Sequence, residues 1–493
     1  MTVVQTKAGL VRGTRSDGVE IFLGVPYARP PVGPLRFCAP QPLDPWDGEH
    51  DATRHANRAM QSEPYCPELL GPLGPGACSE DCLFLNIYTP AIDDARRPVM
   101  VWIHGGGLIA GSANDFDGRN LADQGDVVVV CLNYRLGFFG FLDLSRYGER
   151  FAGSASNGYR DQIAALAWVR DNIAAFGGDA DNVTIFGQSA GGGSVRALLA
   201  SPSADGLYHK AISMSPGCSP DGLPVDRTGD LETTLGVDDS RLIERLYALS
   251  SEEVLALQNR CGFIGIGPFD GVVVTRQTAP ATPVPLISGT TRDEGTIMTA
   301  ILETFIDPAN RSPASPMMAN IASQIMRGGD GRPYVSRLRA AYPEADDSKI
   351  SELIWTDYHR GQAIEVAETM SAAGNDTWLY RFDVPAPVRN GALGATHIVD
   401  VPFVFNEFER EVSPLTRQDP DDETVKRIAR MWSAAFVRFA REGDPNGPGL
   451  PFWPRYSAAD RNYLIVDAEP RVEVDPDEAH RARWRDDPDQ SED

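Results

Sequence analysis

Gly187-Gln188-Ser189-Ala190-Gly191 sets one serine among residues with very little side chain. A G-x-S-x-G alone is a weak signal, because a glycine-rich chain of 493 residues offers such matches by chance. Its flanks strengthen it. The run Asn182–Phe186 reads as a strand entering the pentapeptide, and Gly191–Ser201 can open a helix leaving it. A sharp strand-to-helix turn strains the serine backbone, which only small neighbours permit, and it lifts Oγ clear of the chain. Such a serine is suited to nucleophilic attack on a carbonyl. The Ala190 N–H, at the start of the helix, would face the negative charge that develops. The competing reading, a structural turn of small residues, accounts for the glycines but not for the flanking elements.

An oxyanion needs further donors, and His104-Gly105-Gly106-Gly107 follows the strand-like run Val99–His104. Glycines let bare N–H groups approach a ligand, so Gly106 and Gly107 are candidate donors. A phosphate loop is the rival, but no Gly-Lys-Ser/Thr follows. The serine also needs a base. In nucleophile elbows of this type the acid and then the histidine follow the serine in the chain. Of seven histidines, His359, His397 and His480 lie after the elbow segment with room for an acid between. His359 sits in a stretch of helical spacing and reads as wall or surface, and His480 lies in a charged tail. His397 occupies a small-residue loop after the run Trp378–Phe382, where catalytic groups belong. For the acid, Asp293 and Glu294 follow the run Val284–Gly289. Adjacent side chains diverge, one of the pair could simply cap the next helix, and the residues themselves leave the choice open.

These groups need a scaffold. Val99–His104, Val127–Tyr134, Asn182–Phe186, Lys210–Ser215, Val284–Gly289 and Trp378–Phe382 are short apolar runs of the kind buried on both faces of a sheet. Helical periodicity falls between them. Ile163, Leu166, Val169, Ile173 and Phe176 share one face, and residues 425–444 form another long helix. The class is therefore α/β, doubly wound, in one domain over residues 1–493. Residues 219–262 and 300–375 lack strong strands and read as cap or gorge-wall insertions. Residues 470–493 read as a flexible tail.

Lys and Arg number 45 against 69 Asp and Glu, a formal charge of −24, which argues against nucleic acid and anionic membranes as partners. No stretch approaches the roughly 18 apolar residues of a membrane span. The N-terminus alternates like an edge strand and lacks a signal-peptide layout. Seven cysteines without a CxxC pair suggest neither a zinc site nor a disulfide framework, so a reducing, cytoplasmic location is expected.

Longer motifs then carry a resemblance over almost the whole length: "FLGVPYARPPVGPLRF", "SEDCLFLNIYTP", "VWIHGGG", "NYRLGFFGFL", "DQIAALAWVRDNIAAFGGDADNVTIFGQSAGG", "TRDEGT", "THIVDVPFVF" and "WSAAFVRFAREGDPN". The chain resembles the type-B carboxylesterase/lipase family. That resemblance implies an α/β-hydrolase fold, a large, mostly parallel mixed sheet with helices on both faces and helical cap insertions. It implies hydrolysis of small to medium uncharged carboxylic esters through an acyl-enzyme, with no metal or other cofactor. Ser189 is implied as nucleophile, His397 as base, Glu294 as acid, and Gly106, Gly107 and Ala190 as oxyanion donors. Two departures fall at the expected substrate pocket. Gln188 replaces the glutamate usual before the serine, and Leu108 stands where an aromatic is common. Cys66 and Cys82 match positions bridged in secreted relatives and are expected here as thiols. Hydrolysis of an aryl carbamate or amide by the same residues is the alternative. A non-catalytic binding module is a further one, disfavoured by the intact Ser189 and His397. The expected partner is a small-molecule ester, with the protein a monomer or small homo-oligomer.

Overall fold

Val99, Val101 and Ile103 turn to one side of a strand and Met100 and Trp102 to the other, and all five are fully buried. A strand with no solvent face must be covered on both sides. The computed structural model shows how. It describes the chain except residues 64–66, 218–225, 263–266, 268–269, 276–282, 306–311, 327–328, 409–412 and 485–493.

Among the described residues one sheet has 13 strands. Twelve lie along its path: β1 (Thr2–Gln5), β2 (Leu10–Ser16), β3 (Val19–Pro26), β4 (Phe84–Thr89), β5 (Arg97–Ile103), β6 (Val128–Leu132), β7 (Gly178–Gln188), β8 (Lys210–Met214), β9 (Leu286–Thr291), β10 (Thr377–Phe382), β11 (Asn462–Val466) and β12 (Arg471–Val474). Their order is β1-β2-β3-β4-β6-β5-β7-β8-β9-β10-β11-β12. From β6 to β11 every pairing is parallel, and the flanking pairings are antiparallel. The short strand Glu49–Asp51 lies beside β2.

The main helices are α1 (Asn157–Asn172), α2 (Ala190–Leu199), α3 (Gly295–Phe305), α4 (Asp347–Ala372), α5 (Glu423–Glu442) and α6 (Glu478–Trp484). Leu166 and Val169 of α1, Val195 and Leu198 of α2, and Val366 and Met370 of α4 pack with Val99, Val101 and Ile103. Ile428, Trp432, Phe436 and Phe439 of α5 join Met100 and Trp102 on the opposite face. Each fully buried side chain of this size contributes about 1.5–3 kcal/mol of hydrophobic transfer energy. The alternation along β5 thus fixes a two-sided architecture, the α/β-hydrolase arrangement expected from the sequence.

Strand order reverses at β5, which lies between β6 and β7 although the chain runs β5, β6, β7. Loops leaving the carboxyl ends of β5 and β7 diverge there and open a crevice, the usual place for a ligand in such a sheet.

The sequence regions expected as insertions differ from one another. Within 219–262, helices Thr228–Leu235, Asp239–Ala248 and Ser251–Arg260 bury Leu231, Leu242, Leu246 and Leu257 against Phe37, Phe138 and Phe139. Within 300–375, helices Pro316–Ile325 and Arg332–Ala341 pack on Ile350, Ile354 and Tyr358 in the first half of α4. The second half of α4 instead covers the sheet, with Ser288 Oγ of β9 donating to the Ala363 carbonyl at 3.2 Å. Residues 347–372 are therefore a scaffold helix as much as a cap element.

The flexible tail expected from residue 470 requires correction up to residue 484. β12 pairs with β11, from Asn462 opposite Val474 to Ile465 opposite Arg471. α6 follows and delivers His480 and Arg483 to Asp357 of α4, a fully buried carboxylate that also accepts from Tyr334 Oη at 2.9 Å. Burial alone would raise that carboxyl's pKa, but His480 and the two nearby arginines hold it below its usual range. Charged residues at the chain end concealed a buried ion network rather than a solvated tail. Residues 485–493 lie outside the described residues. Removing one partner from such a network leaves a buried charge short of donors, at a cost of about 3–5 kcal/mol. His480→Ala is expected to lower Tm by several degrees with kcat per active site unchanged. A Tm equal to wild type would return the segment to the status of a frayed end.

Candidate active site

β7 ends at Gln188 and α2 begins at Ala190, so Ser189 occupies the junction alone. Its backbone takes φ 60° and ψ −124°, a region L-residues avoid, which is the strained elbow expected from the sequence. Gly191 makes the bend possible, because a Cβ there would stand 2.0 Å from the carbonyl oxygen of Ile103 on neighbouring β5. Ser189 is 9 % exposed.

The glycine loop leaving β5 lies directly against this serine. A Cβ on Gly105 would approach Ser189 Cβ to 3.0 Å and the Gln188 carbonyl oxygen to 2.7 Å. His104 is stacked on Tyr134 with ring centroids 4.5 Å apart, and its Nδ1 meets the Gly105 carbonyl at 2.8 Å. Burial pushes the His104 imidazole down to about 4, so it is neutral and braces the loop. Among the described residues the backbone N–H groups of Gly106, Gly107 and Ala190 have no hydrogen-bond acceptor. They remain available to a ligand oxygen.

Asp293 and Glu294, leaving β9, part company. The Asp293 carboxylate accepts from Ala395 N at 2.9 Å and from Arg292 Nε at 3.0 Å. Its backbone N–H donates to the Ala395 carbonyl at 2.8 Å, which fastens the loop of residues 383–400 to the end of β9. Glu294 turns inward and is fully buried. Its Oε2 meets Nδ1 of His397, while Oε1 accepts from Ser215 Oγ at 2.6 Å and from Thr291 N at 2.7 Å. Burial works to raise the Glu294 pKa, but the adjacent His397 and its hydrogen bond, helped by His359 and Ser215, outweigh it and hold the carboxyl at about 2. A carboxylate on Nδ1 fixes the tautomer, with the proton on Nδ1 and the lone pair on Nε2. The Gln188 side-chain nitrogen lies over this ring, 3.1 Å from Nε2 and 3.4 Å from Nδ1, and among the described residues no hydrogen bond joins Nε2 to Ser189 Oγ.

Three neighbours of the histidine escaped the sequence reading. Ser215, the residue after β8, supports Glu294, and its position at the end of the strand beside the elbow strand was the available signal. His359 is no surface residue. It is 2 % exposed, its ring lies 4.4 Å from that of His397, and its Nδ1 sits 3.1 and 3.0 Å from the Ser215 and Pro216 carbonyls. Burial first and His397 second push its pKa down to about 4, so this ring is neutral near pH 7. Asp400, fully buried, accepts from Tyr380 Oη at 2.9 Å. Burial and then the Glu294 charge push its carboxyl up to about 7. Glu294, His359 and His397 bring donor atoms within 4.8 Å of one another. Their hydrogen-bonded network accounts for that closeness without a cation.

A cavity of about 290 Å³ opens beside the elbow. Trp102, Ile109, Phe116, Val401, Phe405 and Phe408 supply the apolar part of its wall, charged side chains such as Arg58, Asp115 and Glu407 also line it, and Gly105, Gly106 and Gln188 join it to the elbow. Leu108, expected in the pocket, is instead fully buried in the core beneath the loop at φ 58°. Its positive φ sends the side chain inward, and Ile109 and Ala110 line the cavity in its place. Cys82 is buried, whereas Cys66 lies outside the described residues.

The model of the carboxylesterase family matches residues 1–484. Para-nitrobenzyl esterase from Bacillus subtilis (strain 168) is 34 % identical over 509 residues, covering 98 % of each chain. Phenmedipham hydrolase from Pseudarthrobacter oxydans is 34 % identical over 486 residues, covering 95 % of each. The crystal structure of Geobacillus stearothermophilus carboxylesterase EST55 superposes with a TM-score of 0.84 at 34 % identity, covering 98 % of this chain and 100 % of that one. An elbow serine, a glycine loop and a buried Glu–His pair at the carboxyl ends of parallel strands, together with a match over nearly the full length, lead to one conclusion: the chain belongs to the carboxylesterase family.

Proposed function

We propose that this carboxylesterase works through Ser189 as nucleophile, His397 as general base and Glu294 as the acid that orients it. The observation carrying the proposal is the Glu294 carboxylate on His397 Nδ1, beside a strained elbow serine. Nε2 of His397 removes the Oγ proton as Oγ attacks the ester carbonyl. The carbonyl oxygen gains negative charge and accepts from the N–H groups of Gly106, Gly107 and Ala190. Loss of one such donor typically costs about 2.7–4 kcal/mol of transition-state stabilisation. Glu294 meanwhile offsets the imidazolium charge. His397 returns the proton to the leaving alcohol, and water repeats the cycle to release the acid and regenerate Ser189.

The aromatic and aliphatic cavity wall supports uncharged esters with an apolar group as substrates. The similarity to phenmedipham hydrolase supports the second reading, cleavage of an aryl carbamate or amide by the same residues. Because a carbamate nitrogen donates electrons into its carbonyl, attack on it is slower unless the site compensates. The purified protein is expected to turn over phenyl acetate at least tenfold faster than phenyl N-methylcarbamate, compared by kcat/KM. A ratio below one would make the carbamate reading the primary one. One sheet holding strands from both ends of the chain supports a single catalytic domain. No described helix is long and apolar enough to cross a membrane. A cytoplasmic location and a monomer or small homo-oligomer complete the proposal.

A further inference from the structure

Ser215 follows β8 with a backbone φ of 41°, a region L-residues rarely adopt, and it is fully buried. Such a conformation persists only where its surroundings hold it. One end of the turn is tied to the sheet, with Ser215 N donating to the Gly289 carbonyl at 2.8 Å. The other is tied to the elbow, where Gly217 N donates to the Ser189 carbonyl at 3.0 Å. Between them the Ser215 and Pro216 carbonyls meet one atom, Nδ1 of His359 on α4, at 3.1 and 3.0 Å. Carbonyl oxygens only accept, so the single proton of this neutral ring sits on Nδ1 and is shared between them. Its Nε2 has no hydrogen-bond partner among the described residues. A Cβ on Gly217 would stand 2.7 Å from Cε1 of His359, so the ring is seated directly on the turn. From that turn Ser215 Oγ donates to Glu294 Oε1 at 2.6 Å.

We infer that His359 is a positioning residue for the reaction: its Nδ1–H, shared by the Ser215 and Pro216 carbonyls, locks the strained turn that aims Ser215 Oγ at the Glu294 carboxylate. This role rests on the proposed roles of Glu294 and His397. His359 is not among the residues lining the cavity, so it acts on the base through Ser215 and Glu294 and not on the substrate. Without the N–H, two buried carbonyls lose their donor and the turn loses the bond that spans it. As φ relaxes, Ser215 Oγ leaves Oε1, where Glu294 keeps only the Thr291 N–H. A carboxylate held by fewer donors orients His397 less firmly, which slows the chemical step and spares substrate binding. Packing of the His359 ring on that of His397, 4.4 Å away, is the rival account. The two differ in which part of the side chain matters.

His359→Leu keeps apolar bulk beside His397 and removes the donor. His359→Asn does the reverse, since its amide nitrogen can take the place of Nδ1 and it has no ring. For p-nitrophenyl acetate, His359→Leu is expected to lower kcat about tenfold with KM within about twofold. His359→Asn is expected to recover kcat to within about threefold of wild type. Titration of active sites with a fluorophosphonate puts every rate on the basis of folded enzyme. Ser215→Ala deletes Oγ and is expected to cost about tenfold in kcat as well. With Ser215→Ala and His359→Leu combined, kcat is expected to stay within about threefold of Ser215→Ala alone, whereas independent losses would multiply to about a hundredfold. Losses that multiply, a His359→Asn no faster than His359→Leu, or a His359→Leu kcat within about twofold of wild type each overturn the inference. Should His359→Leu yield no active sites, His359→Phe replaces it with the same expected values. No active sites in either would make His359 a residue of the fold alone and equally overturn the inference. Glu294→Gln, assayed in parallel, separates this role from the reading beneath it: if that variant keeps the wild-type kcat, the proposed roles of Glu294 and His397 fail instead.

Discussion

Ser189→Ala is expected to retain the fold and to lose p-nitrophenyl acetate hydrolysis by about four orders of magnitude or more, as in other triads deprived of their nucleophile. The expectation comes from the isolation of this residue. Ser189 N donates to the Met214 carbonyl and its carbonyl accepts from Gly193 N and Gly217 N, all backbone bonds that alanine keeps. Deleting Oγ therefore removes chemistry and little structure, and Tm should move by no more than a few degrees. The residual rate would come from the glycine loop and the helix start polarising the ester for attack by water. A variant keeping a tenth of the wild-type rate would remove Ser189 from the mechanism.

Glu294→Gln should lower kcat at least a hundredfold with little change in KM, because the substitution keeps the shape and loses the charge that offsets the imidazolium. The amide also has to satisfy Ser215 Oγ and Thr291 N through Oε1, which turns its NH2 toward Nδ1 of His397. Two donors would then face each other, unless the ring gives up its Nδ1 proton and with it the lone pair on Nε2. Asp293→Asn is the matched control. Asp293 accepts from Ala395 N, a role an asparagine oxygen can fill, so less than a tenfold loss is expected. The reverse ranking, Asp293→Asn inactive and Glu294→Gln active, would mean the acid has been assigned to the wrong neighbour. Both kcat values and both melting temperatures decide it.

That pair also shows what was legible in the sequence. Parallel strands buried on both faces announce themselves as apolar runs, and a strained elbow needs small residues at fixed offsets, so β5, β7 and the surroundings of Ser189 were readable. Glu294 against Asp293 was open on the residues alone, because direction after a strand end depends on the loop it meets. Here the Ala395 backbone captures Asp293 and leaves Glu294 facing inward. Leu108 misled because a pocket position was carried over by sequence place, while the positive φ that buries it is a property of the folded loop. His480 misled for a different reason. A charged stretch looks solvated until its partners, Asp357 and Arg483, are brought together from distant or neighbouring turns. His359 joined the site through the same long helix. Long-range pairing of polar groups leaves no periodic trace.

In the proposed mechanism one serine, Ser189, carries the acyl group. Brief reaction with a fluorophosphonate ester, followed by digestion and mass spectrometry of the peptides, tests it most directly. A single phosphonyl adduct per chain is expected on the peptide containing Ser189, formed in step with loss of activity and absent from Ser189→Ala. An adduct on another residue that tracks inactivation, or complete inactivation with the Ser189 peptide unmodified, would contradict it.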